Sequence, residues 1–79
     1  MTNKDILIKE LRKIRNDDDF IIGIISNAKT EENYELVLEF IKQDIDVTPP
    51  NLLMLSLDLN KGGKEYYDKY WNLEKESQD

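Results

Sequence analysis

Four helix-start signals divide this chain of 79 residues into short segments. Each signal is a side chain that can accept a hydrogen bond from the free backbone amides at a helix N-terminus. The four are Thr2, Asp17, Thr30 and Thr48. Pro49 and Pro50 strengthen the last signal, because a proline in the first helical turn loses no hydrogen bond. The signals predict helices over about 3–15, 20–28 and 31–43, and a further helix after Thr48.

Apolar residues follow these signals at helical spacing. In the third segment they recur three and four residues apart, at Tyr34, Val37, Leu38 and Ile41. Two segments also fit a strand, since 20–25 is a run rich in isoleucine and leucine occupies every second position over 53–59. We predict a mostly α fold, a small bundle of four to five short helices. The alternative is a small α/β unit with strands near 20–25 and 53–59.

The chain has the length of one small domain. Gly62 and Gly63 form a flexible joint at the place where the fourth helix is expected to end. We predict a single small helical domain over 1–73, including a last segment that starts at Lys64, and a polar frayed tail over 74–79. The polar start and the short apolar runs predict neither a signal peptide nor a membrane span. The cytoplasm is therefore the expected location, and the absence of Cys adds support for it.

The composition excludes several kinds of site. The chain has no Cys and no His, which excludes disulfides, zinc fingers, thiol nucleophiles and imidazole bases. The acidic triplet 17–19 lacks the glycine and the glutamate that an EF-hand loop needs downstream. Gly62-Gly63-Lys64 lacks the rest of a phosphate-binding loop. We therefore predict no enzyme activity, no catalytic, cofactor-binding or metal-ligating residues, no cofactor and no small-molecule substrate.

Charge is distributed unevenly along the chain. It carries 17 acidic and 11 basic side chains, a net charge of −6. Residues 17–60 hold ten acidic and two basic side chains (net −8), whereas residues 1–16 hold two acidic and five basic ones (net +3). This balance predicts no binding to nucleic acid, and the ordinary apolar stripe of the first segment predicts no binding to membranes. We expect the basic first segment to offset part of the acidity that follows.

The acidic third segment and the C-terminal aromatic residues are the candidates for partner binding. Tyr and Trp are frequent in interface hot spots, although the same rings can instead dock the last segment onto the core. Their spacing of four residues pairs Tyr66 with Tyr70 and Tyr67 with Trp71. The predicted partner-binding residues are Glu31, Glu35, Glu39, Tyr66, Tyr67, Tyr70 and Trp71.

Together these features predict a small acidic, non-catalytic protein-interaction module that regulates or inhibits another macromolecule. The predicted partner is another protein or a second copy of the chain in a homodimer, because a small core leaves apolar surface uncovered. An acidic mimic of nucleic acid is an alternative, and such a mimic would bind a basic DNA-binding protein.

A second alternative comes from a resemblance. The chain has an N-terminal helix, then Asp19-Phe20, then the sequences 28–32 (AKTEE) and 46–49 (DVTP). Over residues 5–63 this order resembles the helical leader segments of nitrogen-fixation-associated bacteriocin precursors, which commonly end in a double glycine. The resemblance implies a leader-containing peptide precursor that is cleaved after Gly63.

Overall fold

The computed structural model describes residues 2–72, which form four α-helices and a short π-helix. The helices are α1 Asn3–Ile14, α2 Asp18–Ala28, α3 Glu31–Gln43 and α4 Pro49–Tyr66, and the π-helix is Tyr67–Trp71. Within these residues there is no strand, so the predicted helical bundle is confirmed and the α/β alternative is wrong. The proposed tail 74–79 lies outside the described residues.

Every predicted start signal caps a helix. The side-chain oxygens of Thr2, Asp17, Thr30 and Thr48 accept hydrogen bonds from the backbone N–H groups of Asp5, Asp19, Asn33 and Asn51, respectively, over 2.9–3.3 Å. These bonds satisfy amides that have no partner inside the helix. The two ambiguous segments are helical because 20–25 follows the Asp17 cap, and 53–59 follows the Thr48 cap and its prolines.

The buried apolar residues form one core to which all the helices contribute. They are Leu7, Leu11, Phe20, Ile21, Ile24, Ala28, Tyr34, Leu36, Val37, Phe40, Leu52, Leu55, Leu59 and Tyr67. Helix α1 packs beside α3, and α2 packs beside α4. The backbone N–H of Asn3 donates to Glu31 Oε2 over 3.1 Å, which places the start of α1 at the start of α3. The surface between α1 and α3 is therefore lined by residues that lie at similar distances from the two helix starts.

Asn33 joins three helices inside the core. Its side chain is buried, and its Nδ2 donates to the Ala28 carbonyl over 2.7 Å and to the Leu59 carbonyl over 3.3 Å. The first carbonyl lies at the end of α2 and the second lies in the last turns of α4. These bonds bring the C-terminal parts of α2 and α4 together against the start of α3.

Gly63 breaks the regular helix near the end of α4. Its φ of 55° and ψ of −136° are not helical, and the chain resumes a helical path directly afterwards. An L-residue with a side chain rarely adopts this backbone conformation, which glycine reaches without steric cost. The helical path is therefore interrupted at one of the two predicted glycines, although α4 continues beyond it to Tyr66. The chain changes direction there, and Tyr67 of the following segment enters the core.

We expect Gly63→Ala to lower the free energy of unfolding by about 1–3 kcal/mol, because alanine is strained at this φ and ψ. Urea denaturation followed by circular dichroism measures the change. Gly23→Ala is the matched control: a Cβ there would lie at an ordinary 3.5 Å from Leu53 Cδ2 within a regular helix. It should leave stability unchanged or raise it by up to about 1 kcal/mol. Equal effects of the two substitutions would contradict the role given to Gly63.

We expect Asn33→Asp to lower the free energy of unfolding at pH 7 by about 3 kcal/mol, since a carboxylate would face two carbonyl oxygens with no donor between them. Asn51 provides the comparison, because its Nδ2 also donates to a carbonyl, that of Asp46, but in an exposed position. Asn51→Asp should change stability by less than about 1 kcal/mol in the same denaturation experiment. A loss at Asn33 no greater than the loss at Asn51 would show that the bridge does not hold the helices together.

Candidate protein-interaction surface

A groove with acidic edges lies between α1 and α3. Its volume is about 270 Å³, and its described lining residues are Asn3, Ile6, Glu10, Glu35, Leu38, Glu39, Ile41 and Lys42. Three of these are aliphatic and three are glutamates, while Lys42 carries the positive charge of the set. We refer to these eight residues as the acidic groove.

Helical geometry places the glutamates of α3 along this groove. Glu31, Glu35 and Glu39 follow one another at intervals of four residues, so they share one face of the helix. All three are exposed, and Glu35 and Glu39 line the groove. Glu31 lies one turn earlier, where its Oε2 accepts the hydrogen bond from the Asn3 backbone. The structure therefore brings two of the three predicted glutamates into one depression.

Most of this negative charge is not neutralised by the rest of the protein. Glu10 pairs with Lys13 over 2.8 Å, but within residues 2–72 neither Glu35 nor Glu39 forms an ion pair. The arginines of the first segment pair elsewhere: Arg12 with Asp18 over 3.1 Å, and Arg15 over 3.4 Å with the carboxylate that caps α2. The basic residues thus offset the acidic start of α2, as expected, and leave the face of α3 negative.

The predicted aromatic residues divide into two pairs. Tyr67 is buried, and its hydroxyl accepts a hydrogen bond from Gln43 Nε2 over 2.9 Å. Trp71 is half-buried, and its indole N–H donates to Asp58 Oδ2 over 2.8 Å. Its ring packs nearly perpendicular to that of Phe40, with the ring centroids 5.4 Å apart. Tyr67 and Trp71 therefore dock the last segment onto the core.

The other two rings, Tyr66 and Tyr70, form an edge-to-face pair at 5.7 Å. Tyr70 is 56% exposed, and Lys69 Nζ lies 5.3 Å from its ring centroid. Glu39 and Lys42 also border a second, more polar depression that includes Tyr67 and Asn72. The acidic groove therefore reaches toward the C-terminal segment, but Tyr66 and Tyr70 do not line it. Their contact with a partner stays a prediction.

The apolar residues of the groove are not evident from the sequence as groove residues. Leu38 and Ile41 belong to the apolar stripe predicted for α3, and no spacing signal sets Ile6 apart in the first segment. In the structure Leu38 and Ile41 are half-buried at the edge of the core, and Ile6 is 38% exposed. The sequence feature that could have indicated the apolar lining is the width of the stripe, because α3 carries more apolar residues than one core-facing side of a helix can bury.

No further kind of site is found in the described part of the chain. No group of three acidic, His or Cys side chains there is arranged to hold a metal ion. Among the same residues, no helix combines the length and the apolar composition needed to cross a membrane. Comparison of the chain with protein-family models, curated proteins and solved structures finds no match.

Proposed function

We propose that the protein is a non-catalytic protein-interaction module that binds a basic segment of a protein partner in the acidic groove. The observation that carries the proposal is the combination of Ile6, Leu38 and Ile41 with Glu35 and Glu39, two carboxylates that form no ion pair within residues 2–72. Binding is favoured when apolar side chains of a partner fill an apolar depression, because apolar surface is then removed from water. Carboxylates along its edge add a preference for Lys and Arg in the same segment.

The size of the groove supports a peptide segment as the occupant. Its volume of about 270 Å³ lies just below the range of small-molecule sites, and it opens on the surface between two helices. Such a groove holds a few side chains of a longer segment, as grooves that bind amphipathic helices do.

The charge of the whole chain supports a basic partner. A net charge of −6 on 79 residues produces a negative field that attracts a cationic surface and accelerates encounter. This acceleration weakens as salt screens the charges. By covering a basic segment, the protein would regulate or inhibit the macromolecule to which that segment belongs. We place this activity in the cytoplasm, a reducing compartment that suits a chain without Cys.

We expect the double substitution Glu35→Gln with Glu39→Gln to weaken partner binding by about tenfold, because it removes two groove charges while keeping side-chain size. The partner is first captured from native lysate on the immobilised protein and identified by mass spectrometry. The purified partner is then titrated against wild type and variant at low and high salt. The affinity of the wild type should fall as the salt concentration rises, and the affinity of the variant should fall by a smaller factor.

The matched control is Asp44→Asn with Asp46→Asn, in the turn between α3 and α4. It removes the same charge from outside the groove, and asparagine tolerates the φ of 54° and 56° at these two positions. If the control weakens binding as much as the groove variant does, the effect comes from net charge alone, and the acidic groove is not the binding site. Binding that survives both changes and high salt would reject a basic partner. Tyr70→Ala in the same titration tests whether the exposed aromatic pair extends the surface.

A further inference from the structure

The two walls of the acidic groove follow α1 and α3 over the same length. The wall on α1 consists of Asn3, Ile6 and Glu10, and the wall on α3 extends from Glu35 to Lys42. Each wall covers seven residue steps, 3 to 10 and 35 to 42. At 1.5 Å per residue this is about 10 Å, or two helical turns. The lining of the acidic groove therefore follows two turns of each helix.

Both walls present side chains and no row of free backbone groups. Residues 3–10 and 35–42 lie in regular α-helix, where backbone N–H and C=O groups bond to each other within the helix. The described chain, residues 2–72, also contains no strand, so it has no sheet edge to which an extended segment could add. An extended segment in the acidic groove would press its own backbone groups against aliphatic side chains without hydrogen-bond partners, which is unfavourable.

The acidic groove also lacks the rings that a proline-rich segment needs. Such segments dock in grooves lined by aromatic side chains, and none of the described lining residues here is aromatic. The apolar lining is aliphatic instead, with Ile6 from α1 and with Leu38 and Ile41 from α3. An α-helix satisfies its own backbone and can offer an apolar stripe to a surface of this kind. A helix is therefore the occupant that fits the walls.

Carboxylates stand on both walls. Glu10 belongs to α1, whereas Glu35 and Glu39 belong to α3. The pair of Glu10 with Lys13 is partly exposed, and pairs of this kind contribute little to stability, so Glu10 can exchange Lys13 for a cation of a partner. Lys42 follows Glu39 by nearly one turn and disfavours a further cation at that end. Cations are thus favoured on both edges of the partner's apolar stripe.

We propose that the basic segment bound in the acidic groove is an amphipathic α-helix. Its apolar stripe faces Ile6, Leu38 and Ile41, and Lys or Arg side chains lie on both edges of that stripe. Because the acidic groove is two turns long, it receives apolar side chains spaced three and four residues apart along the partner. This inference rests on the proposed function and adds the conformation of the partner and the arrangement of its side chains.

Three synthetic peptides of about 16 residues, built from leucine, lysine and alanine, test the proposal. The stripe peptide has leucines three and four residues apart and lysines on both edges of the stripe. The scrambled peptide has the same composition without a stripe. In the proline peptide, proline replaces a central alanine of the stripe peptide and breaks the helix. Fluorescence anisotropy of each labelled peptide, titrated with wild-type protein, should show the stripe peptide bound at least about tenfold more tightly than the other two.

Variants of the protein locate the stripe peptide. Ile6→Ala should weaken its binding by about fivefold, because aliphatic area is lost from the acidic groove. Ile45→Ala is the matched control, since Ile45 is 52% exposed, lies in the turn between α3 and α4, and does not line the acidic groove. It should leave binding unchanged. Circular dichroism verifies that both variants keep their helices.

Equal binding of the stripe peptide and either of the other peptides would overturn the helical occupant, as would a stripe peptide that does not bind. Equal losses for Ile6→Ala and Ile45→Ala would overturn the placement of the stripe in the acidic groove. The proposed function would survive each of these results if the partner captured from lysate still loses affinity when Glu35 and Glu39 are replaced by Gln. It would fail by itself if that partner were indifferent to the double substitution.

Discussion

The arrangement of the helices depends on one buried amide. Asn33 is fixed first by its own backbone, whose N–H donates to the Thr30 cap at the start of α3. With the backbone held, the side-chain amide reaches the carbonyls of Ala28 and Leu59 from two other helices. The Ala28 carbonyl ends α2 and also accepts from the Thr30 backbone N–H over 2.9 Å, whereas Leu59 lies within α4. Because a buried amide is costly to leave unsatisfied, its two bonds favour the arrangement in which α2 and α4 meet at the start of α3. A local capping bond thereby sets a long-range contact.

Much of the fold was predictable because the deciding interactions are local. Each cap involves residues two or three positions apart, and for α3 the predicted bounds match the structure. Alternating leucines over 53–59 fitted a strand as well as a helix, and the Thr48 cap with its prolines resolved the ambiguity. The bridge from Asn33 was not predictable, since 26 residues separate it from Leu59 along the chain. The short π-helix after Gly63 was not predictable either, because it accompanies a tertiary contact, that of Trp71 with Phe40.

The candidate site shows the same division between local and long-range information. Spacing predicted that the glutamates of α3 share a face and that the aromatic residues form two pairs. Docking of the aromatic rings onto the core was one of the two interpretations of the sequence, but the spacing did not indicate that Tyr67 and Trp71 would dock while Tyr70 stays exposed. Nor did it predict that α1 lies close enough to α3 for Ile6 to complete a groove. The result is a depression between α1 and α3 that is edged by carboxylates and floored by aliphatic side chains.

The position of Trp71 gives this chain a built-in optical probe. It is the single tryptophan of the sequence, with its indole N–H bonded to Asp58 and its ring against Phe40. Release of the last segment would move this indole into water and shift its fluorescence emission to longer wavelength, while the helices of the core kept their dichroic signal. Detachment of the C-terminal segment can therefore be followed separately from global unfolding, as a local opening with its own free energy.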